Sequence, residues 1–435
     1  MKHAPGVKES RGRFRILQLT AAPFPPAIRV VKEGLSLCEA GYQSVVMCPP
    51  IPGRPEKEIW NGVTILRPSV LAGSRSTLDK VLYQALFFSP AWYVSLKQVI
   101  SECKPDVIHV HDIWLGRSVC WASTGQALVM DLHENMPAAV VEYLSGYRGA
   151  FKWFNRVVKS PARVLKYERS MLNRCDMVLV VVEEANARVC KAHPTLPAGR
   201  VVTVENLESR RFVERPLAPD AKQVLPDGNS VLYVGGFGPH RGLETLIEAH
   251  GHLKHWGISS TLYLVGAKES TYLQMLKSLI GRLDIEDRVR LVGWVEADSV
   301  LSYIRDASVC VVPHHSNPHT NTTMPHKLYQ YMMARKPVLV SSSTPLARTV
   351  RAAGAGLVFE AGDPRDCASK IRELLADPAK AGEYARNGFR YVWEEGHNWE
   401  EEAAPALLRA YDELLGVARS PVHVPADVTF ANEPE

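Results

Sequence analysis

The 435-residue chain has no apolar run of the roughly 18–20 residues that a membrane-spanning helix needs. Its 8 cysteines are scattered, with no C-x-x-C pair and no Cys/His ligand spacing. That excludes zinc-finger and thioredoxin-type chemistry and points to free thiols in a reducing compartment. No G-x-G-x-x-G follows a predicted strand, so the dinucleotide fingerprint is absent. No Asp-x-Asp stands near a strand end, which argues against a metal bridge to a diphosphate. The opening residues Met1-Lys2-His3-Ala4-Pro5-Gly6 lead into charge rather than an apolar stretch. The expectation is no signal peptide and a cytoplasmic protein. A net charge of +5 suits anionic ligands or lipid headgroups but falls short of a nucleic-acid signature.

What is present is a rhythm. An apolar fraction of 46% supports real cores, and the length suits two or three domains. Short apolar runs alternate with helical segments: Phe14–Leu19, Val45–Met47, Val107–His111, Leu128–Met130 and Met177–Val181. A second round runs through Val231–Val234, Leu262–Val265, Val289–Val292, Val309–Val312 and Val338–Val340. Runs of this kind predict an α/β protein with two doubly wound, Rossmann-like parallel sheets. Between the rounds, Arg215–Asp220 and Pro226–Asn229 read as an interdomain linker. The predicted limits are 13–210 and 211–396 for the domains, 397–418 for a closing helix and 419–435 for a mobile tail. Two such domains enclose a cleft, and ligands sit outside the carboxyl ends of parallel strands.

The strand-to-helix loops carry the polar motifs. Thr323-Met324-Pro325-His326-Lys327-Leu328-Tyr329-Gln330 reads as a loop, a proline at a helix start and a short helix. Lys327 falls in the first turn, where free N–H groups and the helix dipole attract anions. A pyrophosphate fits that spot; a capped surface helix with a solvated lysine explains the same residues. Val234-Gly235-Gly236-Phe237-Gly238-Pro239-His240-Arg241-Gly242 follows a strand. Its glycines allow close backbone approach, and Arg241 offers a planar fork to phosphate oxygens. The plain alternative is a tight turn with a solvated arginine.

In the first half, His133 of Asp131-Leu132-His133-Glu134 ends a strand and can meet a sugar hydroxyl or a leaving phosphate. The strand pattern turns His109 inward. Asn206, in Val204-Glu205-Asn206-Leu207-Glu208, reads as a turn residue. Phe151–Lys159, with Arg163 and Lys166, mixes aromatic and basic residues on a predicted helix. Peripheral contact with an anionic membrane is one reading; an ordinary surface helix with its aromatics in the core is the other.

Taken together, these pieces resemble the retaining, GT-B-fold glycosyltransferases of the family-4 kind. The carrying residues are Asp106–His111, Asp131–Glu134, Cys175–Val180, Gly235–Ala249, Pro325–Met332 and Gly356–Phe359, in family order from about Arg13 to Leu415. The resemblance implies a nucleotide-sugar donor in the C-terminal domain and a glycan, lipid-linked or small-molecule acceptor in the N-terminal one. It implies no metal and no cofactor. Arg241 and Lys327 would hold the donor diphosphate, and His133 would meet the donor sugar. Gly235, Gly236, Phe237, Pro325, His326 and Gln330 would line the donor site, with Gly293, Trp294 and Val295 beside the base. The implied route is front-face attack, with the leaving diphosphate assisting deprotonation of the acceptor.

Departures from the pattern stand out. Thr322 and Gln330 occupy positions where many members place two glutamates, and Gly236 stands where many carry arginine. The Pro-x-Lys subgroup often lacks the first glutamate. The Phe24–Arg29 loop lacks the glycine pair many members use. A weakly active or non-catalytic nucleotide-binding protein, or an enzyme resembling a nucleotide-sugar 2-epimerase, therefore stands as the alternative.

Overall fold

Asn61-Gly62 turns a short hairpin absent from the expected strands: Lys57–Trp60 (β3) pairs antiparallel with Val63–Leu66 (β4). Both turn residues have positive φ, 47° and 82°, as a two-residue hairpin turn of the primed type requires. The rest of the first sheet is parallel: Arg15–Leu19 (β1), Gln43–Met47 (β2), Val107–His111 (β5), Ala127–Leu132 (β6), Met177–Val180 (β7) and Val201–Thr203 (β8). Its order is β3-β4-β2-β1-β5-β6-β7-β8. The computed structural model describes residues 10–25, 27–145, 158–214, 224–225 and 228–417. The linker stretches 215–223 and 226–227, the aromatic–basic segment 151–157 and the tail from 418 lie outside the described residues.

The second sheet is parallel throughout: Ser230–Val234 (β9), Thr261–Ala267 (β10), Val289–Gly293 (β11), Val309–Val312 (β12), Val338–Ser341 (β13) and Gly356–Phe359 (β14). Its order is β11-β10-β9-β12-β13-β14. Helices cover both faces of these sheets, so the strands of the middle are buried end to end, as β5, β7, β9, β12 and β13 are.

Topology decides where a site can form. Chain direction across the sheet reverses between β1 and β5 in the first domain and between β9 and β12 in the second. The loops after those strands splay apart and leave a crevice. Val234–Gly242 follows β9 and Thr323–Gln330 lies after β12, at the switch point of the second sheet, while Asp131–Glu134 ends β6, the neighbour of β5.

The closing helix is not one continuous α-helix. Trp399–Ala403 is a wide π-type turn that leads into Ala404–Leu415. It returns to the first domain, where Arg11 Nε and Tyr42 Oη donate to Asp412 at 2.9 and 2.6 Å. Trp399 Nε1 donates to Ser36 Oγ at 2.8 Å. Lys159 and Arg163 lie over the rings of Trp114 and Phe87 in their own domain.

Candidate active site

A cleft of about 610 Å³ lies between the domains. Its walls include His133, Glu134, Asn206, Gly235, Arg241, Trp294, Lys327 and Gln330.

Lys327 opens the helix Lys327–Met333. That helix has only seven residues, so its dipole adds little; the expected pull on an anion comes from side chains instead. Lys327 is 5% exposed, and among the described residues its Nζ has no hydrogen-bond partner. The ammonium stands 4.0 Å from the centroid of the Tyr233 ring. Gly235, at φ 140°, makes the room: a Cβ there would lie 2.3 Å from Nζ. Burial, and then Arg241, push the lysine pKa well below its ordinary value. A buried cation without an acceptor is costly, and an incoming anion would remove that cost.

Arg241 comes from the loop after β9. Gly242 at φ 65° lets that loop lie against the loop after β12, since a Cβ there would meet the Pro313 carbonyl oxygen at 2.0 Å. Arg241 Nη1 donates to His314 Nε2 at 3.2 Å. His240 and His326 are both pushed down to about 3, by burial first and then by neighbouring cations. His314 is pushed down for the same reasons. This wall thus gathers three histidines, all pushed down, beside Arg241 and Lys327.

His133 faces them from the first domain. Its side chain is 25% exposed, and Nε2 lies 2.8 Å from Asp131 Oδ2 and 3.1 Å from His111 Nδ1. Burial alone would lower its pKa, but Asp131 and Asp112 lift it to about 9. Arg29 grips both oxygens of Asp131, at 2.8 and 3.0 Å. His109 is wholly buried, bonded to Tyr411 Oη at 2.8 Å, so it serves the core as its inward position implies.

Phe237 and Gly293 do not line the cleft. The Phe237 ring packs edge-on against Tyr233, 6.2 Å between centroids, and belongs to the second core. Gly235, Gly236, Arg241, Trp294, Val295, Pro325, His326, Lys327 and Gln330 do line it, with His133 opposite. Thr322 turns away: its hydroxyl donates to the Pro318 carbonyl at 2.8 Å. Asn206 is more than a turn residue, because it lines the cleft and its Nδ2 donates to the Met324 carbonyl across the domains at 2.9 Å.

Several lining residues escaped the sequence reading. Glu134 accepts from Tyr143 Oη at 2.5 Å and lies 3.6 Å from His319. His240, His314 and His319 gather beside Arg241. The loop Pro313-His314-His315-Ser316-Asn317-Pro318-His319 directly after a buried strand was the available signal.

Residues 29–207 match the Glycosyltransferase Family 4 model, and residues 217–390 match that of Glycosyl transferases group 1. The chain belongs to the family-4 glycosyltransferases of GT-B fold. The D-inositol 3-phosphate glycosyltransferase of Thermobifida fusca is 23% identical over 376 residues, covering 84% of this chain and 82% of that one. Sucrose-phosphate synthase from Thermosynechococcus elongatus shares the fold at a TM-score of 0.76 and 22% identity, over 93% of this chain and 100% of that one. Anabaena Alr3699/HepE in complex with UDP-glucose superposes at a TM-score of 0.65 and 14% identity, over 92% and 99%.

In this glycosyltransferase, one described group brings metal-ligand atoms within 4.8 Å of one another: Glu33, His109, His111 and Asp131. Arg29 already supplies positive charge to both carboxylates there, at 3.0 and 2.8 Å. None of the four residues lines the cleft. Among the described residues, no helix is long and apolar enough to cross a membrane.

Proposed function

We propose that this glycosyltransferase moves a hexosyl group from a nucleoside-diphosphate sugar to an acceptor hydroxyl, with retention and without a metal. One observation carries the reading: the buried ammonium of Lys327 has no acceptor among the described residues and shares a cleft wall with Arg241. A diphosphate supplies what that wall lacks.

The chemistry asks little covalent work of the protein. The bond from the anomeric carbon to the diphosphate oxygen breaks, and the acceptor oxygen bonds to the same carbon on the same face. The acceptor proton passes to the departing diphosphate. Charge on that leaving group grows through the transition state, where Lys327 and Arg241 stabilise it. His133, an imidazolium at neutral pH, meets the donor sugar from the acceptor domain. The acceptor enters beside His133, Glu134 and Tyr143. No carboxylate pair for double displacement is required by this route.

The test is calorimetric titration of the full chain with UDP, GDP and ADP in excess chelator, followed by a transfer assay with the matching sugar nucleotides. Binding of one diphosphate and turnover, both unaffected by chelator, are expected. Loss of nucleotide binding on chelation would overturn the metal-free reading. Binding without turnover on any acceptor would favour the non-catalytic alternative.

A further inference from the structure

The helix Thr77–Leu86 exposes its apolar side. Leu78, Val81, Leu82 and Ala85 fall at i, i+3, i+4 and i+7, the spacing of a stripe that normally faces a core. Here Leu78 is 68% exposed and Val81 53%. The inward position goes to an acid instead. Asp79 is buried, and its carboxylate accepts from Ser89 Oγ at 2.8 Å and from the Ala91 amide at 3.0 Å. The apolar surface continues past the end of the helix. Leu86 is exposed, and Trp121 is 56% exposed with its ring 4.7 Å from that of Phe88. None of these residues lines the cleft.

Cations frame this surface. Arg117 donates to the Leu86 carbonyl and Arg163 to the Ala85 carbonyl, so both guanidinium groups sit at the C-terminal end of the helix. Lys80, on the helix itself, and Lys166, three residues on from Arg163, are exposed. Lys159 Nζ stands 5.9 Å from the Trp114 ring, which packs 5.7 Å from Phe87. Residues 76–90, 116–126 and 158–167 together hold five basic side chains and one acid, and that acid is Asp79, withdrawn from the surface.

We propose that the face built by Leu78, Val81, Leu86 and Trp121, with its rim of lysine and arginine, docks on an anionic lipid bilayer. Exposed aliphatic and tryptophan side chains gain by entering the headgroup–acyl boundary, and the cations gain from the negative surface potential. A second copy of the chain fits this face less well, because an isologous contact would bring the same cations together. The face also stands close to the chemistry. Burial, and then Asp112, push the phenol of Tyr83 on the same helix above its ordinary value, and Asp112 Oδ2 lies 3.9 Å from His133 Nδ1. The docked surface thus adjoins the wall that carries His133 without forming part of the cleft.

The test is flotation of the full chain with vesicles of phosphatidylcholine alone and with phosphatidylglycerol added, at low salt and at about 0.5 M salt. Wild type should float with the anionic vesicles, far less with the neutral ones, and less in high salt. Leu78→Ser combined with Val81→Ser should weaken binding about tenfold or more. Lys80→Glu combined with Lys166→Glu should weaken it about tenfold or more. Both variants should keep the wild-type melting transition, since all four positions are exposed. Should the serine pair fail to fold, the glutamate pair decides alone. A wild type with no preference for anionic vesicles, or a folded variant that binds them as wild type does, would overturn the assignment and leave the donor site untouched. A wild type that light scattering shows to be dimeric, and that the serine pair turns monomeric, would give this face to a second copy instead.

Discussion

The Lys327 ammonium sits 4.0 Å above the ring of Tyr233, with an aromatic face below it and, among the described residues, no oxygen to receive its protons. A cation–π contact only partly offsets the lost hydration of a buried ammonium. The site is therefore electrostatically incomplete when empty, and its most direct consequences are testable.

Lys327→Ala should lower kcat by about 10²–10³, by analogy with the loss of one oxyanion donor. Lys327→Arg should recover only part, because the guanidinium is a wide planar fork and cannot occupy the same point. Steady-state kinetics, with circular dichroism to verify the fold, measures both. Near-normal turnover in the alanine variant would mean the donor lies elsewhere.

Nucleotide binding should take up protons. Burial and Arg241 lower the Lys327 pKa in the empty cleft, and burial with neighbouring cations lowers His314. A bound diphosphate reverses the sign of the local field and raises both. Affinity should therefore fall as pH rises above neutrality. Titrations near pH 8 in buffers of different ionisation enthalpy should give different apparent heats. Identical heats would mean that Lys327 is already charged before the nucleotide arrives.

Gly235→Ala should displace the lysine without unfolding the domain. The added Cβ would lie 2.3 Å from Nζ, the far end of a flexible side chain, at a φ of 140°. We expect a strain cost on the order of 1–3 kcal/mol. Nucleotide affinity should drop more than the melting temperature suggests. A variant that is destabilised yet binds normally would contradict the role given to this contact.

The stabilising effect of His133 should depend on pH in one direction. Its folded pKa is raised from 6.5 to about 9, chiefly by Asp131 and Asp112 against the effect of burial. A raised pKa means stability present in full below pH 6.5 and lost as the pH passes 9. At about 1.4 kcal/mol per unit, the effect is on the order of 1–3 kcal/mol. Lys327, with a lowered pKa, contributes the opposite slope, so the whole-protein curve is not diagnostic. The informative quantity is the stability gap between wild type and His133→Asn. It should be widest near pH 6.5 and close by pH 9.5. A gap that widens over that interval would refute the raised pKa.

Much of the architecture was legible from the chain alone. β5 and β12 carry the limits of their short runs, because a strand buried on both faces is apolar along most of its length. Loops at strand ends were likewise readable as ligand-facing, since the position follows from sheet topology. The hairpin at Asn61-Gly62 carries a turn signal as well, but its strand Lys57–Trp60 is short and half-polar, without the apolar run that marks the others.

Sequence by itself determined the two-sheet α/β frame and the cationic residues Arg241 and Lys327. These depend on local pattern: apolar period, turn glycines, a basic residue beside a helix start. Tertiary structure alone decided which groups meet. Phe237 sits among cleft-lining neighbours in the chain yet turns into the core, because Tyr233 offers its ring an apolar partner. Glu208 lies 122 residues from Gln330 and reaches it only because the segment after β8 crosses between the domains. Side-chain direction and long-range pairing depend on packing against residues remote in sequence, and a one-dimensional pattern carries no record of that.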